Sequence, residues 1–282
     1  MSAIYRTTSN FVWTDLSSYN TAASIKFYEA VFGWDSHDLG RVSSGSDDHF
    51  GMNQVTYHIA VLGDRPAAGI YDMPPFFKKI KMPPFWMSYV SVDGIEALVA
   101  RARGIKGVSI DVEPTPFGDG MMALIRDPLG AGFTCYEGPS IDVKGDGGEY
   151  GRMVWNELIT ESIPAVEPFY RKVLGFDLKR DAEFFGNRVT LINLAGEEIA
   201  GIQEVDASIR SDKVYWMPFF SVDQVDEFNT RVKAAGGTQI STTDLGSGLN
   251  SALYFDDKGA AFGVAETGAE YRDVRPWYRK YF

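Results

Sequence analysis

Apolar and polar positions alternate with two different periods along this chain, and the order of the two periods repeats. Phe11 to Leu16 reads as a short strand, with Phe11, Trp13 and Asp15 on one face and Val12, Thr14 and Leu16 on the other. The period then changes: Ala22, Ile25, Phe27 or Tyr28 and Val31-Phe32 recur at helical spacing, Asn20 or Thr21 can cap the start, and Gly33 supplies the stop. Strand-like runs follow at Val55–Leu62 and Ala67–Tyr71, joined by a turn at Gly63-Asp64-Arg65-Pro66. The series then restarts with a strand at Trp86–Val92 and a helix over Ile95–Arg103. Strands near Val108–Val112, Met121–Ile125 and Gly132–Tyr136 complete it. The intervening residues, including His37 and His49, read as a Gly/Ser/Asp-rich loop.

The second half of the chain repeats the first. Phe11-Val12-Trp13-Thr14-Asp15-Leu16 returns as Met153-Val154-Trp155-Asn156-Glu157-Leu158, and Ala68-Gly69-Ile70 as Ala200-Gly201-Ile202. Ser91-Val92-Asp93 returns as Ser221-Val222-Asp223, and Asp127, Gly130 and Phe133 return as Asp256, Gly259 and Phe262. The spacing falls from 142 positions at Trp13 and Trp155 to 129 at Asp127 and Asp256, as short loop deletions would produce. The pattern predicts an α+β protein of four βαβββ units in two like domains, residues 8–140 and 150–268, followed by a tail at 269–282. The glycine-rich Gly145-Asp146-Gly147-Gly148 segment suits the boundary. Helices that all follow the first strand of a unit cover one sheet face and leave the other to curl into a cup.

Composition narrows the functions that such a fold could serve. Length (282 residues), 45% apolar and 23% charged residues are those of an ordinary folded protein of about two domains. A net charge of −11 without basic runs disfavours nucleic-acid and anionic-membrane surfaces. The single Cys135 excludes an internal disulfide or a multi-cysteine metal site. No apolar stretch is long enough to span a membrane and the N-terminal residues lack a secretory core, so a cytoplasmic protein is expected.

At these residues the sequence resembles the vicinal oxygen chelate superfamily, the group of glyoxalases, bleomycin-resistance proteins and extradiol dioxygenases. The likeness rests on the Trp-X-acid-Leu strand, the Ala23–Trp34 helix, the Ser91-Val92-Asp93 strand end and Asp127-Pro128-Leu129-Gly130, and it covers both copies. It implies paired units forming open barrels around a ligand. The implied activities are metal-dependent isomerisation, epimerisation or ring cleavage, or metal-free drug sequestration. The family's metal ligands are His, Glu or Gln; here those positions fall on Trp13 and Trp155 (or Thr14 and Asn156), Met87 and Met217, and Thr134 and Gly263. Tyr71 and Gln203 are the nearest polar candidates on the central strands. One Gln cannot hold a cation, so neither a metal nor another cofactor is expected.

What replaces the metal ligands suits a flat organic molecule: Trp13, Tyr71, Trp86, Met87, Tyr89, Thr134 and Tyr136 in one copy, and Trp155, Gln203, Trp216, Met217 and Phe219 in the other. Asp15 and Glu157, each sharing a strand face with a tryptophan, are candidates for a base or an anchor for a cation, and equally for structural hydrogen bonding. His58, on a probable strand, is a weaker acid–base candidate. The tail, with Trp277, Tyr278, Tyr281 and Phe282 among basic residues, is expected to pack on a domain or across a homodimer interface. The reading is a metal-independent protein that binds or sequesters a small aromatic or secondary metabolite. The alternative is a lyase, isomerase or oxygenase-like enzyme using Asp15, Glu157 or His58, and a third is a structural protein with filled cups.

Overall fold

The computed structural model describes residues 9–41, 50–139, 149–180, 187–207, 213–244 and 250–267. His49, the Gly145–Gly148 segment and the aromatic tail lie outside the described residues. The four βαβββ units are present as two eight-stranded mixed sheets. The first has the strand order β2-β3-β4-β1-β5-β8-β7-β6, and the second β10-β11-β12-β9-β13-β16-β15-β14.

The first unit comprises β1 (Asn10–Ser18), α1 (Thr21–Phe32), β2 (Asp35–Arg41), β3 (Thr56–Leu62) and β4 (Arg65–Asp72). A short helix α2 (Pro75–Lys79) leads to the second, β5 (Phe85–Ser91), α3 (Ile95–Ala102), β6 (Ser109–Phe117), β7 (Gly120–Arg126) and β8 (Gly132–Glu137). The third comprises β9 (Met153–Thr160), α4 (Ile163–Lys172), β10 (Asp177–Arg180), β11 (Arg188–Ile192) and β12 (Glu198–Glu204). The fourth comprises β13 (Tyr215–Val222), α5 (Val225–Ala234), β14 (Thr238–Asp244), β15 (Asn250–Phe255) and β16 (Ala261–Glu266). In every unit the first strand pairs parallel with the last, which the helix crossover allows, and the remaining pairs are antiparallel. Asn20 caps α1, its side chain accepting from the Ala23 amide at 3.1 Å, and Gly33 ends it in the left-handed region at φ 74°.

His37 lies on β2 rather than in a loop, opposite Ile59 of β3. This strand is at the sheet edge and is exposed along almost its whole length, so it carries no apolar alternation for a pattern to detect.

Contacts divide the chain into two compact units, each drawing on both halves of the sequence. One comprises Trp13–Met87, Asp142–Val154 and Met217–Phe282; the other Met1–Val12, Ser88–Ile141 and Trp155–Trp216. In the former, Tyr28 of α1 donates to the Asp256 Oδ2 at 3.2 Å while accepting from the Trp86 indole at 3.2 Å. In the latter, Tyr170 of α4 donates to Asp127 Oδ2 at 3.1 Å and accepts from Trp216 at 3.1 Å. The other carboxylate oxygen of each aspartate binds its own turn: Asp127 accepts from the Leu129 and Ala131 amides, Asp256 from those of Lys258 and Ala260. The repeated Asp-X-X-Gly is therefore a turn whose acid also reaches a helix from the opposite half of the chain. Among the described residues no helix is long and apolar enough to cross a membrane.

Replacing Tyr170 by Phe leaves a buried carboxylate oxygen and an indole N–H short of a partner, a loss of about 1–3 kcal/mol. Chemical denaturation should show that loss for Tyr170→Phe but little change for Tyr254→Phe, whose buried hydroxyl has no hydrogen-bond partner. Burial also pushes the Asp127 and Asp256 carboxyls above their ordinary 3.8, against the lowering effect of their hydrogen bonds. A raised native value favours the protonated acid in the folded state, so this contribution is full below pH 3.8 and is lost as pH rises through the native values. Urea midpoints measured across that window should fall with rising pH, and less steeply in Asp127→Asn.

Candidate functional site

The alternation of β1 sends Leu16 to the helix-side core and Trp13, Asp15 and Ser17 to the opposite face. Parallel pairing with β4 sets Asp15 beside Gly69 and Ser17 beside Tyr71, and β3 adds Tyr57 opposite Tyr71. Trp13, Asp15, Tyr57 and Tyr71 thus meet from three strands. The Trp13 indole donates to the Tyr57 hydroxyl at 2.9 Å, and that hydroxyl donates to Asp15 Oδ2 at 3.4 Å. The Tyr57 and Tyr71 rings stack at 6.0 Å between centroids and 14° between planes. Asp15 is only 1% exposed. Burial, and then the charge of Asp15, push both phenols well above their usual 10.0, so they remain neutral donors near neutral pH.

Gly69 makes the contact possible. A Cβ there would lie 1.9 Å from the Tyr57 hydroxyl oxygen and 2.7 Å from the Asp15 Cβ. Here the repeated Ala-Gly-Ile has its physical reason.

The third unit builds the same frame with different chemistry. Glu157 lies beside Gly201, and Arg188 lies opposite Gln203 just as Tyr57 lies opposite Tyr71. Arg188 forms a bidentate pair with Glu157, Nε to Oε1 at 2.8 Å and Nη2 to Oε2 at 3.1 Å, and the Trp155 indole donates to Oε2 at 2.7 Å. The guanidinium also stands 5.9 Å from the Trp155 ring centroid. Both charged groups are buried, Arg188 3% and Glu157 1% exposed at the side chain. A Cβ on Gly201 would lie 2.2 Å from Glu157 Oε2.

The other expected residues are dispersed. His58 lies opposite Ile70, a core residue, and so on the other face of β3 from Tyr57. Trp86 and Trp216 each precede their methionine by one position and point into the core, bonded to Tyr28 or Tyr170. Met87 is half-buried, and its backbone oxygen accepts from Thr14 at 3.1 Å. Tyr89 lies opposite Thr134, and Ser91 opposite Tyr136, whose hydroxyl donates to the Pro139 carbonyl at 3.3 Å. Met217 and Phe219 are buried, Phe219 over Gly263, and Gln203 is half-buried. Cys135 is buried and its thiol is pushed far up by desolvation, which removes it as a nucleophile.

Tyr57 and Arg188 are the partners of the two acids that sequence reasoning missed. An arginine inside the apolar run Arg188–Ile192 is a buried charge demanding an acid, and Glu157 on a neighbouring buried strand is the matching one. The described residues do not fit the divalent cation that the resemblance implies. Among the described residues no three His, Cys, Asp or Glu side chains converge, and both oxygens of Glu157 face the Arg188 guanidinium.

Residues 11–134 match the model of the Glyoxalase/Bleomycin resistance protein/Dioxygenase superfamily. The putative glyoxylase CFP32 of Mycobacterium tuberculosis is 29% identical over 254 residues, 89% of this chain and 92% of the relative. The anthracycline biosynthesis protein DnrV of Streptomyces peucetius is 28% identical over 257 residues, 90% of this chain and 92% of the relative. Among solved structures, the 2,3-dioxygenase LapB from Pseudomonas sp. KL28 superposes with a TM-score of 0.59 at 14% identity, covering 95% of both chains. The Mn(II)-bound glyoxalase from Novosphingobium aromaticivorans superposes at 0.57 and 12% identity, covering 92% of this chain and 83% of that one. At these identities the structures establish the fold.

Gly69→Ala forces Tyr57 and Asp15 apart, and overpacking of this kind costs roughly 1–3 kcal/mol. Thermal unfolding should register that loss. The tryptophan emission of the variant should also shift, because the Trp13 indole loses its phenol acceptor.

Proposed function

Because residues 11–134 belong to the glyoxalase/bleomycin resistance protein/dioxygenase superfamily, we propose that this protein binds an aromatic secondary metabolite, without a metal, on the β1–β3–β4 face around Asp15. The observation that carries the reading is the stacked Tyr57–Tyr71 pair set against a buried carboxylate and the Trp13 indole. Aromatic faces supply apolar area for a flat ligand, while neutral phenols and one carboxylate fix its orientation through hydrogen bonds. Similarity to anthracycline biosynthesis proteins of two Streptomyces strains over nine-tenths of the chain supports a place in secondary metabolism. Holding such a molecule out of solution would serve resistance or delivery. The Tyr57–Asp15 hydrogen bond favours one alternative, in which the same ligand is turned over by acid–base chemistry centred on Asp15.

Titration with a hydroxyanthraquinone, followed by tryptophan fluorescence and thermal shift, tests the proposal. Saturable binding that survives EDTA and weakens roughly tenfold in Trp13→Ala, the loss of one aromatic contact of about 1.4 kcal/mol, is expected. Recovery of the probe chemically unchanged supports binding, and conversion to a product supports the enzymatic alternative. Absence of saturable binding by hydroxyanthraquinones overturns both.

A further inference from the structure

Between β4 and β5 the chain runs Pro74-Pro75-Phe76-Phe77-Lys78-Lys79-Ile80-Lys81-Met82-Pro83-Pro84, with α2 at its centre. Phe77 faces inward: its ring is buried, stacked on Phe50 at 5.0 Å between centroids and 19° between planes, and edge-on to Phe85 at 5.6 Å. That anchor leaves its neighbours outside. Phe76 is 40% and Ile80 52% exposed, four residues apart and so on one side of the turn, and Lys78, Lys79 and Lys81 are exposed beside them. The Ile80 amide donates to the Phe76 carbonyl at 3.3 Å and the Met82 amide to the Phe77 carbonyl at 3.0 Å, which fixes the turn. Lys81 closes it at φ 55°, alone among the described non-glycine residues in having a positive φ. Such a conformation is costly for an L-residue and persists only where the surroundings impose it.

We propose that this turn is a peripheral docking site for a bilayer containing anionic lipid. Phe76 and Ile80 enter the boundary between headgroups and acyl chains, and Lys78, Lys79 and Lys81 meet the lipid phosphates. Exposed apolar side chains ringed by lysines are the composition of interfacial anchors, since each lysine stem adds apolar length while its ammonium stays at headgroup depth. The net charge of −11 belongs to the whole chain, and at physiological salt a charge is screened beyond about 8 Å, whereas three lysines within four positions act on a headgroup at contact. An acidic protein surface would attract the same cations, but lysine is depleted in the cores of protein interfaces, where it must shed water; at a bilayer it stays hydrated. The turn is already formed, so docking orders little chain. The inference does not rest on the binding reading above.

The test is co-sedimentation of the full-length protein with vesicles of equimolar phosphatidylglycerol and phosphatidylcholine, and with vesicles of phosphatidylcholine alone. Partition into the anionic vesicles should be on the order of a hundredfold stronger, with roughly fivefold lost for each of Lys78→Ala and Lys79→Ala, and it should weaken as salt is raised. Ile80→Ser should lower partition about tenfold at constant charge, because an apolar side chain no longer leaves water. Lys106→Ala, which removes an exposed lysine from the loop after α3, should change nothing. All of these side chains are exposed, and an unchanged thermal midpoint shows that each variant is folded. Absence of partition, equal partition into both vesicles, or a charge preference that survives Lys78→Ala and Lys79→Ala together overturns the proposal. Retention on immobilised poly-L-glutamate without partition into vesicles also overturns it, in favour of an acidic protein partner.

Discussion

Two buried aspartates hold this protein together, and each does so by serving two structures at once. One oxygen of Asp127 or Asp256 closes its own turn, and the other receives a tyrosine hydroxyl from a helix encoded in the other half of the chain. A tryptophan indole saturates the same hydroxyl. Every donor in the relay has an acceptor, which is the condition under which buried polar groups stabilise rather than cost. The cores follow from it: Phe27, Phe32 and Trp34 pack with Phe220, Phe228 and Phe262 because Tyr28 brings α1 to the turn at Asp256.

The opposite sheet face is where the copies diverge. Both keep a Trp-X-acid strand and a glycine that lets a partner side chain approach the acid within hydrogen-bond distance. In one copy the partner is arginine, and the pair is an internal ion pair with both groups buried. In the other the partner is tyrosine, and the result is a carboxylate amid phenol and indole groups that stack and donate. A single residue type on one strand separates a buried ion pair from a hydrogen-bonded aromatic cluster around an acid.

Much of the fold was legible because alternation and helical spacing are properties of the local chain. The repeat of Trp13 at Trp155 and of Asp127 at Asp256 marked the four units, and Asn20 and Gly33 marked the ends of α1 before any contact was known. Strand β2 escaped because an exposed edge strand has no buried face, and so no alternation. The pairing of Asp15 and Glu157 with tryptophans on one strand face was readable for the same local reason.

By itself the sequence determined the units and their order. Only the tertiary structure decided which tryptophans face the helix-side core and which the opposite sheet face: Trp86 and Met87 are neighbours in the chain, yet strand alternation and the Tyr28 hydroxyl commit the indole to the core. It also decided the partners of the two acids, Tyr57 for Asp15 and Arg188 for Glu157. Those contacts depend on the register between strands distant in sequence, and register is set by long-range pairing that no local pattern encodes.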